Sequence, residues 1–140
     1  MKKGISLVLA VAMVLALTGC GKKQRTVKLV EPEPSTLYSQ EEIYDAMDFV
    51  IRQFQEDDFR DKTLVSVSYA GDECSLREKV CYVDDYQVSD ADQVIVLLSS
   101  FYVSRSHVGP MNPGQLYTNY SWILGRSEGG DWEVITSGYA

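Results

Sequence analysis

The chain predicts an α+β domain of two layers, one amphipathic helix packed on one face of an antiparallel sheet. Three observations predict it. Ser39-Gln40-Glu41-Glu42 is a capping box, and Ile43, Ala46, Met47, Val50, Ile51 and Phe54 follow it at three- and four-residue steps, so they share one helical face. Downstream, several runs rich in β-branched and aromatic residues repeat with the period of two that marks strands. A lone helix carrying an apolar stripe can bury it only against such a sheet.

The N-terminus comes first in chain order. Lys2 and Lys3 precede a nearly unbroken apolar run over residues 5–17, which ends in Leu17-Thr18-Gly19-Cys20. A charged start, an apolar middle and small residues at the end make a secretory signal. The run is shorter than the ~20 apolar residues needed to cross a bilayer. The terminal four residues resemble the lipobox of bacterial lipoproteins, which implies cleavage before Cys20 and a diacylglyceryl group on its sulfur. The expected organisation is therefore a signal peptide over 1–19, a lipid-anchored linker over 20–36 and one domain over 37–140. Pro32 and Pro34 in a polar, aperiodic stretch support the linker. Lys22, Lys23, Arg25 and Lys28 could rest on anionic headgroups or serve simply as a soluble tether.

After the helix, which is expected to fray near Asp57-Asp58, residues 63–69 alternate as a strand with Val65, Val67 and Tyr69 on one face. Residues 72–92 are acidic and mixed, with a short helix suggested over 76–86. Val94-Ile95-Val96-Leu97-Leu98 is apolar on both faces and continues to Val103, the pattern of a central strand. Gly109-Pro110 and Asn112-Pro113-Gly114 mark an exposed loop. Thr118, Tyr120, Trp122 and Leu124 then form a bulky strand face, Gly129-Gly130 turns the chain, and Trp132, Val134 and Thr136 return beside it.

Cys74 and Cys81 are the only cysteine pair beyond Cys20. In an extracytoplasmic chain the expectation is a disulfide. Seven residues of continuous helix would hold the two ~10.5 Å apart along the axis, too far for a bridge, so a bond requires the backbone to turn back between them. Two buried thiols or a redox pair are the alternatives. With one histidine in the chain, the soft ligands are too few and too scattered for zinc, so no metal site is expected.

Residues 39–49, 92–103, 117–126 and 129–139 together resemble a lipoprotein family of Gram-positive bacteria whose domain of unknown function is related to the NTF2-like and cystatin-like folds. Tyr120-Ser121-Trp122-Ile123-Leu124 and the closing Gly-Gly-Asp-Trp-Glu-Val carry most of the likeness. The resemblance implies a sheet curved into a cone around the helix, often with a pocket inside, and implies no reaction.

Charge narrows the partners. The sequence holds 13 basic and 20 acidic side chains; loss of Lys2 and Lys3 with the signal leaves a mature balance of −9. Such acidity argues against nucleic acid. Phosphate loops, Ser-His-Asp spacings and paired-histidine motifs are absent, and the calcium-type ladder begun by Asp90 and Asp92 is broken by Val94. No catalytic residue and no cofactor is assigned, and His107, the sole histidine, reads as a solvated loop residue. Phe54, Tyr120, Trp122 and Trp132 could line an apolar pocket in the cone or merely fill it. The sequence thus predicts a noncatalytic binding module held on the outer face of the cell membrane by its lipid. The alternative is an NTF2-like enzyme with a small-molecule pocket. An outer sheet face carrying Ile95 and Leu97 is the expected surface for a protein partner or homodimer.

Overall fold

The computed structural model describes residues 26–139; the expected signal peptide, the expected lipid-attachment residue Cys20 and the start of the expected linker lie outside that range. The fold is α+β, a five-stranded mixed sheet in the order β1-β2-β3-β4-β5 with two helices. Strands β2 (Lys62–Tyr69), β3 (Gln93–Val103), β4 (Leu116–Arg126) and β5 (Glu133–Gly138) form an antiparallel meander. The two-residue β1 (Lys28–Leu29) adds to β2 in parallel. It lies within the stretch expected to be linker. Val30 N–H also donates to the Val67 carbonyl at 2.9 Å, and Val27 and Leu29 pack on the core, so ordered contact with the domain begins well before residue 37.

Helix α1 (Gln40–Gln53) starts as its capping box dictates: Ser39 Oγ accepts from Glu42 N–H at 3.1 Å and a Glu42 carboxylate oxygen accepts from Ser39 N–H at 2.8 Å. It ends at Phe54, before the two acids, which fall in a separate 3₁₀ turn (Asp57–Phe59). Ile43, Ala46, Met47 and Val50 are buried against Val67, Ile95, Leu97 and Leu124.

Bulges reset the faces of three strands. Val65 is the extra residue between Leu64↔Phe101 and Ser66↔Ser100, so Leu64, Val67 and Tyr69 face the core, where strict alternation places Val65. On β4 the extra residue falls between Tyr120 and Tyr117, where Asn119 adopts φ 58°; Tyr117 replaces Thr118 on the inner face and stacks on Phe101. On β5, Ile135 is the extra residue.

The sheet is covered on both sides. Helix α2 (Asp72–Lys79) runs on into a π-helical turn (Val80–Asp85), and Cys74, Tyr82 and Val83 pack on Val94, Val96 and Ile123 of the face opposite α1. This corrects the expectation for Ile95 and Leu97, which belong to the inner face and are fully buried under α1. It also corrects the expected bridge. Cys74 and Cys81 are free thiols on one uninterrupted helical path, the arrangement in which the helical rise keeps them apart.

Beyond Tyr69, strand β2 no longer supplies hydrogen bonds to β3, and side chains take over. Ala70 N–H still reaches the Val96 carbonyl at 3.0 Å. Val96 N–H donates to Ser75 Oγ at 3.0 Å, and the Tyr38 hydroxyl donates to the Val94 carbonyl at 2.6 Å. A buried strand edge left open there would cost about 1 to 3 kcal/mol per unmet group.

Candidate functional site

Of the four aromatics that could line a pocket or fill the core, three fill the core. Phe54, Trp122 and Trp132 are 9%, 1% and 6% exposed. Phe54 lies 5.7 Å from Trp122 and 5.5 Å from Phe101 between ring centroids, and Trp122 Nε1–H donates to Ser99 Oγ at 2.9 Å. Trp132 sits under the Arg126 guanidinium, 4.1 Å from its ring centroid, and meets the edge of Tyr38. Close-packed aromatics leave no room for a ligand among them.

Tyr120 is the exception. It borders a cavity of about 330 Å³ together with Phe59, Lys62, His107, Met111 and Ser137. The polar side of this cavity is held by Asp61, at the junction of the 3₁₀ turn with β2. Its carboxylate binds His107 Nδ1 through one oxygen and Lys62 Nζ, at 3.0 Å, through the other. Its carbonyl accepts from Ser104 N–H at 2.8 Å. Lys62 Nζ also donates to the Asp58 carbonyl at 2.9 Å and lies over the Phe59 ring. The His107 and Lys62 side chains are each only 9% exposed. The hydrogen bond from His107, followed by that from Lys62, holds the Asp61 carboxyl down at about 2. His107 is therefore not a solvated loop residue: its buried imidazole pairs with a partly exposed carboxylate 46 positions away, a distance at which no local motif announces it.

A carboxylate-oriented imidazole is one half of a general-base unit. The other half needs a reacting proton at Nε2. Here Nε2 is buried without a protein partner, and Gly109 closes over it so tightly that a Cβ on that glycine would stand 2.8 Å from the nitrogen. Ser137, on the same cavity, meets the Tyr120 hydroxyl at 3.3 Å and makes no hydrogen bond with His107. In this structure the imidazole pins the 104–114 loop to the start of β2.

A second, wider groove of about 890 Å³ lies on the α2 side of the sheet, between the 83–91 segment and β5. Val83, Val88, Ala91 and Ile135 give it apolar walls, and Asp90, Asp131 and Glu133 stand at its rim. Arg126 borders it, but that guanidinium is committed to Glu42 at 2.6 Å and Gln93 at 2.7 Å. Among the described residues no three His, Cys, Asp or Glu side chains converge to hold a metal ion, and no helix is long and apolar enough to cross a membrane.

No protein-family model, curated protein or solved structure matches the chain.

Proposed function

We propose that the chain is a lipoprotein held on the extracytoplasmic face of the cell membrane, where its α+β domain binds a partner without catalysis. The observation that carries this reading is Cys20 directly after Leu17-Thr18-Gly19, at the end of a charged and then apolar leader. Two acyl chains on such a cysteine anchor a protein stably where one short chain would not. Strand β1 begins at Lys28, eight residues past Cys20, so the domain stands within roughly 25 to 30 Å of the lipid even with the tether fully extended. The positive charges of Lys22, Lys23 and Arg25 in that span suit either a soluble tether or anionic headgroups, which would repel the acidic domain. What supports a binding role is the filled aromatic core and the covered His107 Nε2. The NTF2-like cone belongs to the same proposal; its support is the order of elements, a capped N-terminal helix followed by an antiparallel meander against which it packs.

The test is metabolic labelling of cells with an alkyne fatty acid, followed by mass spectrometry of the mature N-terminus. The expected result is label on a chain that starts at Cys20, lost in Cys20→Ala with release from the membrane. A native chain starting at Met1, or label that survives the substitution, would overturn the proposal.

A second reading, a small-molecule site with the chemistry of an NTF2-like enzyme, draws on the Tyr120 cavity with its buried Lys62 and His107. It requires Gly109 to move off the imidazole. Loop motion at 105–114 on adding a ligand, followed by the His107 ring signals in NMR, would favour it over the first.

A further inference from the structure

The α2 side of the sheet concentrates features that the packing of the domain does not use. Leu76 and Val80, one helical turn apart, are each 49% exposed, and Tyr86 and Val88 are 71% and 62% exposed. Val134, on the β5 edge across the groove, is 39% exposed. The backbone beneath them is irregular: a six-residue π-helical turn ends beside Gln87, a non-glycine residue at φ 51°. Both conformations are uncommon, and they recur where structure serves binding more than stability. The groove floor is closely packed: at Gly125 an added Cβ would stand 2.8 Å from both Ala91 Cβ and Ile135 Cδ1.

Charge selects the occupant. Asp90, Asp131 and Glu133 are exposed and take part in none of the ion pairs among the described residues. The one cation on the groove, Arg126, is neutralised from within by Glu42. The carboxylates do not converge on a point, as they would around a metal; they are spread around a largely polar groove in which Val83, Val88, Ala91, Val134 and Ile135 form the apolar part. That pattern is complementary to a strand or turn in which basic and apolar side chains alternate.

We propose that this groove docks a basic segment of a partner protein, with apolar side chains between Val88 and Ile135 and lysines or arginines on Asp90, Asp131 and Glu133. The inference rests on the domain being a binding module and does not depend on the anchor, so acyl labelling and groove binding fail separately.

The test uses the full chain in zwitterionic micelles, with empty micelles as reference, and a fluorescein-labelled Lys-Val-Lys-Val-Lys peptide read by anisotropy at about 0.15 M salt. Saturable binding is expected, weakened at least about tenfold in the Asp90→Asn, Asp131→Asn, Glu133→Gln triple variant and about threefold or more in Val88→Ser. These positions are exposed, and retained circular dichroism shows that the variants fold. The proposal is overturned by absence of binding up to about 1 mM, by a change under about twofold in the triple variant, or by equal binding of Lys-Gly-Lys-Gly-Lys, which would reduce the effect to bulk charge. It is also overturned if a peptide of this chain's own residues 21–28 binds as tightly and with the same dependence, because the occupant is then a second copy.

Discussion

Glu42 and Arg126, 84 positions apart, are joined by a 2.6 Å hydrogen bond from the guanidinium to one carboxylate oxygen, while the other oxygen caps Ser39 N–H. One side chain thereby fixes both the start of α1 and its seat on the end of β4. The Arg126 side chain is 9% exposed and has Gln93 and the Trp132 ring as its other neighbours. The Ser39 N–H, and then Arg126, draw the Glu42 carboxyl below its ordinary value. Because Glu42 is 36% exposed, the pair is screened and is worth less than a fully buried one. Glu42→Ala, which loses cap and partner together, is expected to destabilise by about 2 kcal/mol in urea unfolding. Arg126→Ala should cost a similar amount, and the double variant less than the sum.

Acid should loosen the N-terminal arm. Asp72 accepts from Ser35 Oγ at 2.5 Å, Thr36 N–H at 2.7 Å and the Tyr69 hydroxyl at 2.8 Å, and these bonds, the Ser35 one foremost, hold its carboxyl at about 2. A folded-state value below the unfolded ~3.9 stabilises fully above about pH 4 and fades as the pH falls toward 2. Asp61, also held at about 2, titrates in the same window. Unfolding free energy measured across pH 2 to 5 should therefore rise with pH. In Asp72→Asn the slope should be reduced, and at neutral pH stability should drop by about 1 to 2 kcal/mol.

Of the two glycines in the sheet strands, Gly125 is the one with no room for a side chain. A Cβ there would meet Ala91 and Ile135, each at 2.8 Å, in the layer that joins α2 to β4. Gly125→Ala is expected to destabilise by about 1 to 3 kcal/mol through overpacking, read as a lower urea midpoint with an unchanged m-value. An equal or higher midpoint would show that Ala91 and Ile135 can give way.

Both helical thiols should react as monothiols. Alkylation of the unfolded chain without reductant is expected to label both Cys74 and Cys81, with no two-dalton difference on reduction. In the folded protein burial raises the Cys74 thiol above its ordinary value, so its alkylation near pH 8 should be slow and should quicken on unfolding. A single reduced-state mass gain would mean that the helical path between them opens.

Much of the architecture was legible because it is local. Ser39 and Glu42 announce the helix start three residues apart, and the stripe from Ile43 to Phe54 announces its buried face. The two-sided apolar run over 94–98 announces the central strand, which lies third of five in the sheet. Strand faces were less legible, because one extra residue inverts the alternation: Val65 changed places with Leu64, and Thr118 with Tyr117, at bulges that carry no strong sequence mark. Strand β1 is two residues long, too short for any period, and its pairing depends on Ser66 and Val67 nearly forty positions away. The candidate site was legible only at Tyr120.

The sequence alone determined the acidic balance, the capped helix and the hairpin of strands, since each depends on residue type or on spacing within a few turns of chain. Tertiary structure decided the rest: that Asp61 would bury His107, that α2 would cover the face left bare in the sequence reading, and that the thiols would stay apart on one helix. Those outcomes turn on contacts between residues distant along the chain or on the continuity of a backbone path, and short-range periodicity carries no information about either.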